Sequence, residues 1–171
     1  MLSMRHLTLI TTGGTIEKTY DEQSGSLENR RSIVDRMVRR LRLEDTSIST
    51  IELMSKDSQL MTAEDRETIA ETVEAVLRVK PSGIVILHGT DTLTLTGEHL
   101  LNRFPSPGVP IILTGAMRPF EMRRSDALQN LTESLLAANI LPGGVYCVTH
   151  GRALAFPGVV KDRQRATFVK A

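Results

Sequence analysis

With 171 residues, 40% of them hydrophobic, the chain can build one domain, spanning 1–171, with a well-filled core and has little left for a second. Its 21 Lys and Arg against 20 Asp and Glu leave a net charge of +1, which excludes a whole-surface field that would recruit nucleic acid or an acidic membrane; a small neutral or zwitterionic ligand suits it better. One cysteine excludes a disulfide framework, and the lack of a signal-like apolar stretch or of a run approaching the ~20 residues of a membrane span makes the cytoplasm the expected compartment.

In chain order, the first strand is predicted near 7–11 and ends in Thr11-Thr12-Gly13-Gly14-Thr15, where paired glycines allow close backbone approach. A helix is expected over 29–43, because Ile33, Val34, Met37, Val38 and Leu41 form one stripe while Asp35, Arg36, Arg39 and Arg40 lie off it. Without interleaved aromatics those arginines read as a solvated or subunit-facing surface. A strand near 48–53 precedes Asp57-Ser58-Gln59. The next helix, 63–79, has a start signal in Thr62-Ala63-Glu64-Asp65, a buried face in Ile69, Val73, Val76 and Leu77, and a stop at Pro81. Strand 84–88 runs into His88-Gly89-Thr90-Asp91-Thr92 and a helix over 93–103. After the Pro105-Ser106-Pro107-Gly108 break, strand 109–114 ends in Thr114-Gly115-Ala116-Met117-Arg118-Pro119. A helix over 125–139 and a Pro142-Gly143-Gly144 turn lead to strand 144–149, whose Cys147 reads as a core thiol. Residues 151–171 carry a weaker pattern, compatible with a crossover, an extra strand or an arm that orders against a neighbouring subunit.

Alternating strands and helices predict βαβ units on a parallel sheet, and all carboxyl ends of such strands lie along one edge. Turns far apart in sequence can therefore line a single crevice. Neither G-x-G-x-x-G nor a P-loop is present, so a nucleotide site is not expected. The histidines at 6, 88, 99 and 150 are scattered, with no H-E-x-x-H or C-x-x-C spacing, and no G-x-S-x-G elbow occurs. What remains is hydroxyl and carboxylate chemistry at Thr15 and at Thr90-Asp91. A Thr hydroxyl is a weak nucleophile and needs a base; Lys161 can serve if desolvated, with Asp91 orienting it, and backbone N–H groups of the glycine-rich turns can stabilise an oxyanion.

At these turns the chain resembles the bacterial-type L-asparaginase (asparaginase/glutaminase) family. Thr12-Gly13-Gly14-Thr15-Ile16, His88-Gly89-Thr90-Asp91-Thr92 and Gly115-Ala116-Met117-Arg118-Pro119, followed by Ser125-Asp126, carry the match together and in this order. The resemblance implies that Thr15 attacks the side-chain amide of L-asparagine to form an acyl-enzyme and release ammonia, with a minor activity on glutamine. It implies a second catalytic group of Thr90, Asp91 and Lys161, and a Tyr20 on a mobile loop that helps to activate Thr15. Ser58 and Gln59 would bind the substrate α-carboxylate and Asp91 its α-ammonium, with Gly14, Gly89 and Ala116 completing the substrate site.

The expected architecture is a doubly wound, flavodoxin-like, mostly parallel sheet with helices on both faces, in one domain. No metal or organic cofactor is expected, nor a nucleic-acid or membrane partner; a homodimer or homotetramer is. Family members commonly carry a second, smaller domain that supplies an acidic residue to a neighbouring site, and this chain reads as the short form without it. Glu17, Lys18, Asp21 and Glu22 then read as a solvated lid or as a source of that charge. Two rival expectations are a non-catalytic amino-acid-binding module and an amidase for a different or larger amide.

Overall fold

The computed structural model describes residues 4–171. In chain order its elements are β1 (Arg5–Gly13), β2 (Thr19–Asp21), β3 (Ser26–Glu28), α1 (Val34–Val38), β4 (Thr46–Lys56), α2 (Ala63–Arg78), β5 (Gly83–Leu87), α3 (Leu93–Arg103), β6 (Pro110–Thr114), α4 (Ala127–Ile140), β7 (Gly144–Thr149), β8 (Arg152–Ala155), β9 (Val159–Asp162) and β10 (Thr167–Lys170). The main sheet has the order β4-β1-β5-β6-β7-β8. Its first five members are parallel, and β8 runs antiparallel to β7 at the edge. Register is continuous across the middle, with Leu9 beside Val85, Val85 beside Ile112 and Ile112 beside Tyr146.

Every residue of β5 and β6 is buried, as a parallel sheet covered on both faces requires. Alternate side chains enter separate cores. On one face Ile10, Ile84, Ile86, Ile111 and Leu113 pack with Ile69 and Val73 of α2 and Leu93 and Leu100 of α3. On the other, Leu7, Leu9, Val85, Leu87 and Ile112 pack with Val34 and Met37 of α1 and Leu131 and Leu135 of α4. This is the doubly wound arrangement expected. From β1 the chain goes outward to β4 and then returns to β5 on the other side, which makes the β1/β5 boundary the switch point of the sheet. Among the described residues, no helix is long and apolar enough to cross a membrane.

Helix α2 begins as its sequence predicts: Thr62 Oγ1 accepts from the Asp65 N–H at 3.2 Å, and Asp65 Oδ2 accepts from the Thr62 N–H at 2.9 Å. Cys147 is buried, and burial pushes its thiol up to about 12, so it is the inert core residue expected. The helix expected over 29–43 is shorter, Val34–Val38. Its apolar stripe is real, with Ile33, Val34 and Met37 buried. The residues before it are committed elsewhere: Glu28 pairs with Thr19 in the β2–β3 hairpin, and the Ser32 hydroxyl bonds Glu17 and accepts from the Val34 N–H at 3.3 Å.

The charged segment after Thr15 is likewise not one solvated lid. Glu17 is 2% exposed, accepts from the Gly13 N–H at 3.1 Å and from Ser32, and fastens the turn that ends β1. Beyond Thr149, β8 extends the sheet while β9 and β10 form a separate hairpin. That hairpin is seated by its own core contacts. Val159 and Phe168 are buried, the Gly158 N–H donates to Glu98 Oε1 at 2.8 Å, and the Phe156 ring lies on α3 where Gly97 leaves room.

A methyl group on Gly97 would fall 2.0 Å from Phe156 Cζ. Gly97→Ala is expected to lower stability by ~1–3 kcal/mol through overpacking, read as a lower Tm, with Phe156→Leu recovering part of the loss. Glu17 supplies a pH prediction. Burial pushes its carboxyl from 4.5 up to about 7, so the folded state binds this proton more tightly than the unfolded state does. The resulting contribution is complete below about pH 4.5 and is lost as pH rises through about 7, in all about 3 kcal/mol. Chemical denaturation at the two ends of this window should show a smaller pH difference for Glu17→Gln than for the native chain.

Candidate functional site

Four strand-end turns meet at the carboxyl edge of the sheet, and where they touch the contact is largely backbone on backbone. A methyl group built on Gly14 would lie 2.4 Å from the Gly89 nitrogen and 2.5 Å from its Cα. One built on Gly89 would lie 2.5 Å from Ser58 Cβ and Oγ, and one on Gly115 would lie 2.3 Å from the His88 carbonyl oxygen. Only hydrogen fits at these points. Gly14 follows β1 and Gly89 follows β5, so their contact sits at the switch point. Thr15 and Thr90 each come one residue after a touching glycine and therefore flank the same place in the crevice.

Thr15 is half-buried and opens a short 3-10 turn, Thr15–Glu17. Thr90 is buried, and its Oγ1 accepts a hydrogen bond from Lys161 Nζ at 2.8 Å. The same Nζ donates to Asp91 Oδ1 at 2.7 Å. Asp91 Oδ2 accepts from Gln59 Nε2 at 2.8 Å, and Arg163 Nη1 reaches Oδ1 at 3.3 Å. The Lys161 hydrogen bond outweighs the cost of partial burial and holds the Asp91 carboxyl below the usual carboxylate range. Asp91 is therefore a fixed anion between two cations.

Ser58 is buried against Gly89; its Oγ accepts from the Thr92 N–H at 3.3 Å, and its carbonyl accepts from Thr92 Oγ1 at 2.8 Å. Asp57 accepts from the Gln59 N–H at 3.1 Å and from Lys18 Nζ at 2.8 Å. The Lys18 bond keeps Asp57 low and ties the Ser58 turn to the chain just past Thr15. His88 serves the frame beneath. It is fully buried, and burial pushes it down to about 4, so it is neutral near pH 7. Its Nδ1 donates to the Gly89 carbonyl at 2.8 Å, since a carbonyl only accepts, and Nε2 then accepts from Thr96 Oγ1 at 2.8 Å.

The 115–118 turn is held by Asp126. Burial alone would push its carboxyl up, but N–H groups of Met117 and Arg118, each donating at 3.0 Å, and His150 Nε2 at 2.7 Å bring it down. His150 Nδ1 in turn lies 2.9 Å from Thr167 Oγ1, which links this turn to the hairpin that carries Lys161.

Eight of the residues singled out from sequence, Gly14, Thr15, Ser58, Gln59, Gly89, Thr90, Asp91 and Lys161, come together at this edge. Two stand apart. Tyr20 lies on β2, 59% exposed, with its backbone N–H donating to Glu121 Oε2 at 3.0 Å. Ala116 is buried in the core among the α1/α4-side residues, which leaves only its backbone to meet a ligand. Sequence reasoning missed Arg163 and the Lys18–Asp57 pair. The alternation of a strand ending carried a signal for Arg163, two residues after Lys161. Among the described residues no three His, Cys, Asp or Glu side chains group as a metal site would.

Residues 6–168 match the family described as Asparaginase, N-terminal. The L-asparaginase of Thermococcus kodakarensis is 33% identical over 140 residues, covering 82% of this chain and 42% of that protein. A glutamyl-tRNA(Gln) amidotransferase subunit of Aeropyrum pernix is 35% identical over 162 residues, covering 88% of this chain and 37% of the relative. In structure, the thermostable T. kodakarensis L-asparaginase superposes with a TM-score of 0.85 at 31% identity, over 96% of this chain and 51% of that one. L-asparaginase I from Vibrio cholerae gives 0.82 at 26% identity, over 98% and 52%. The chain thus spans about half or less of the length of these proteins. A crevice of two threonines, a lysine and a carboxylate at the switch point, within a match that runs nearly end to end, places this chain in the asparaginase family, in the part described as its N-terminal domain.

Proposed function

We propose that this crevice hydrolyses a side-chain amide of the L-asparagine type through an acyl-enzyme on Thr15. The observation that carries the reading is the single Lys161 Nζ bound at once to Thr90 Oγ1, 2.8 Å, and Asp91 Oδ1, 2.7 Å, beside the Gly14–Gly89 contact that presents Thr15. Two hydroxyls and a lysine around one point are what stepwise acyl transfer needs and what simple binding does not.

In the first step Thr15 Oγ forms a bond to the amide carbon as its proton is transferred towards the amide nitrogen, the carbonyl π electrons move to oxygen, and backbone N–H groups of the glycine-rich turns stabilise that oxyanion until it re-forms the carbonyl. The C–N bond then breaks as the nitrogen takes up a proton, and ammonia leaves. Water attacks the Thr15 ester in the second step. A proton of that water passes through Thr90 Oγ1 and the Lys161 Nζ bonded to it to Thr15 Oγ as the ester C–O bond breaks, with Asp91 holding the Lys161 ammonium in place, and the acid product departs with Thr15 restored. Tyr20 serves Thr15 when the β2–β3 hairpin folds over the crevice, which also excludes bulk water. Ser58 and Gln59 receive the substrate carboxylate. We take the protein to act in the cytoplasm, where a lone thiol such as Cys147 stays reduced, and to self-associate as a homodimer or homotetramer through surfaces such as α4, whose Leu136 and Ile140 are exposed.

A second reading, an amidase for a larger amide, is favoured by the likeness to an amidotransferase. Ammonia release from L-asparagine and L-glutamine, measured in parallel, tests the main one. Release should be faster from asparagine, and Thr15→Ala should lower kcat at least about a thousandfold with the circular-dichroism spectrum unchanged. Near-normal turnover in Thr15→Ala would transfer the nucleophile role to Thr90. Lys161→Ala should cost about a hundredfold or more in kcat with a smaller change in KM, as loss of a proton-transfer group does. Saturable binding of aspartate with no ammonia from any amide would mark a binding module instead.

A further inference from the structure

Thr15 sits at the midpoint of a ring that one side chain closes. Gly13 and Gly14 take positive φ angles of 95° and 81°, which turn the chain back at the end of β1. The Glu17 N–H donates to the Gly14 carbonyl at 3.2 Å, and the Glu17 side chain returns along the turn to accept from the Gly13 N–H at 3.1 Å through Oε2. Gly13 lies two residues before Thr15 and Glu17 two after, so main chain and side chain together enclose it. The other carboxyl oxygen, Oε1, bonds the Ser32 hydroxyl. Residues 18–31, between these two points, carry the β2–β3 hairpin and Tyr20. One carboxyl group therefore fastens both the turn that holds Thr15 and the base of the hairpin beside it.

The surroundings decide in which form that group serves. Uncharged Thr11 of β1, Glu52 of β4, and Arg30 and Arg31 of the segment before α1 line the same small cleft. Arg30 is engaged by Asp21 and Glu28, and Arg31 is exposed. Glu17 itself is only 2% exposed. Desolvation, with the charge of Glu52 adding to it, outweighs the hydrogen bonds from Ser32, Gly13 and Ile33 and pushes the carboxyl up to about 7. The neutral acid suits the ring as it stands. An anion formed as pH rises through about 7 is better solvated, or better paired with Arg31, once it lets go of Gly13.

We propose that Glu17 is a positioning residue for the reaction, which aligns the Thr15 hydroxyl by bridging the Gly13 N–H to Ser32. This rests on the hydrolytic reading above and adds a control of the same site. Glu17 meets no reacting atom; it acts through the main chain on both sides of Thr15, and it acts while neutral.

The test compares the native protein with Glu17→Gln, which keeps an acceptor for Gly13 and a donor for Ser32 in a group that does not ionise, and with Glu17→Ala, which removes both bonds. At about pH 6, Glu17→Gln should retain kcat for ammonia release from L-asparagine to within about threefold, while Glu17→Ala loses about tenfold or more in kcat with a smaller change in KM. The ratio of kcat in Glu17→Gln to that in the native protein should then rise about tenfold by about pH 8, because titration of Lys161 and other groups is common to both proteins. The Gln variant carries this comparison whether or not Glu17→Ala folds. NMR reads the same clasp without turnover. The Gly13 amide proton of the native protein should move upfield with a midpoint near pH 7 as its hydrogen bond weakens, the Thr15 signals should titrate with it, and neither should do so in Glu17→Gln. These NMR changes support the assignment even if no amide releases ammonia, an outcome that would defeat the hydrolytic reading alone. Ammonia release with a constant ratio across this pH range, or a downfield Gly13 shift showing that the anion keeps its bond, overturns the assignment and leaves hydrolysis intact. Neither ammonia nor titration at Gly13 and Thr15 overturns both.

Discussion

Everything at the carboxyl edge depends on the backbone contact of the Gly14, Gly89 and Ser58 turns. Parallel strands lie about 4.8 Å apart, so the turns leaving the neighbouring strands β1 and β5 must either splay or touch. Here they touch, with less than 3 Å between a would-be side chain on Gly14 and the main chain of Gly89. The hydroxyls of the next residues inherit that rigidity, because each follows a glycine that the contact holds within two residues of a strand end. Neutral, buried His88 supports the contact from below through the Gly89 carbonyl and Thr96.

Charge is handled oppositely at two carboxylates near this contact. Glu17 is desolvated with no cation among the described residues in hydrogen-bond reach, so its carboxyl is pushed up to about 7 and its role is to hold the β1 turn. Asp91 loses some hydration too, but Lys161, Gln59 and Arg163 surround it and hold it low. Burial without a cation yields a group that can lose or keep its proton near neutral pH; partial burial between cations yields a permanent anion. Only the second can hold a lysine beside Thr90.

The network that supplies this lysine is long in sequence and short in space. Lys161 reaches Thr90 and Asp91 because Phe156 settles on Gly97, Val159 and Phe168 enter the α2/α3-side core, and Gly158 bonds Glu98. A second tie runs from Thr167 through His150 to Asp126 and so to the 115–118 turn. The hairpin is therefore braced against both the helix after β5 and the turn after β6, and its two cations are fixed relative to the two threonines.

The amino-acid sequence by itself determined what is local. The β-branched runs, the helical stripes and the Thr62/Asp65 cap are each written within a few consecutive residues, and so are the glycine and hydroxyl motifs at strand ends; that was enough for the doubly wound sheet and for seven residues at its edge, Gly14, Thr15, Ser58, Gln59, Gly89, Thr90 and Asp91. The extent of the first helix was not local, since Ser32 is drawn to Glu17, fifteen residues back. Lys161 could be named from resemblance, but its bond to Thr90 spans 71 positions, and that of Arg163 to Asp91 spans 72. Only the tertiary structure decided these, because which charged side chains share a carboxylate depends on how the last two strands seat on the core, a packing outcome that no short window of sequence contains.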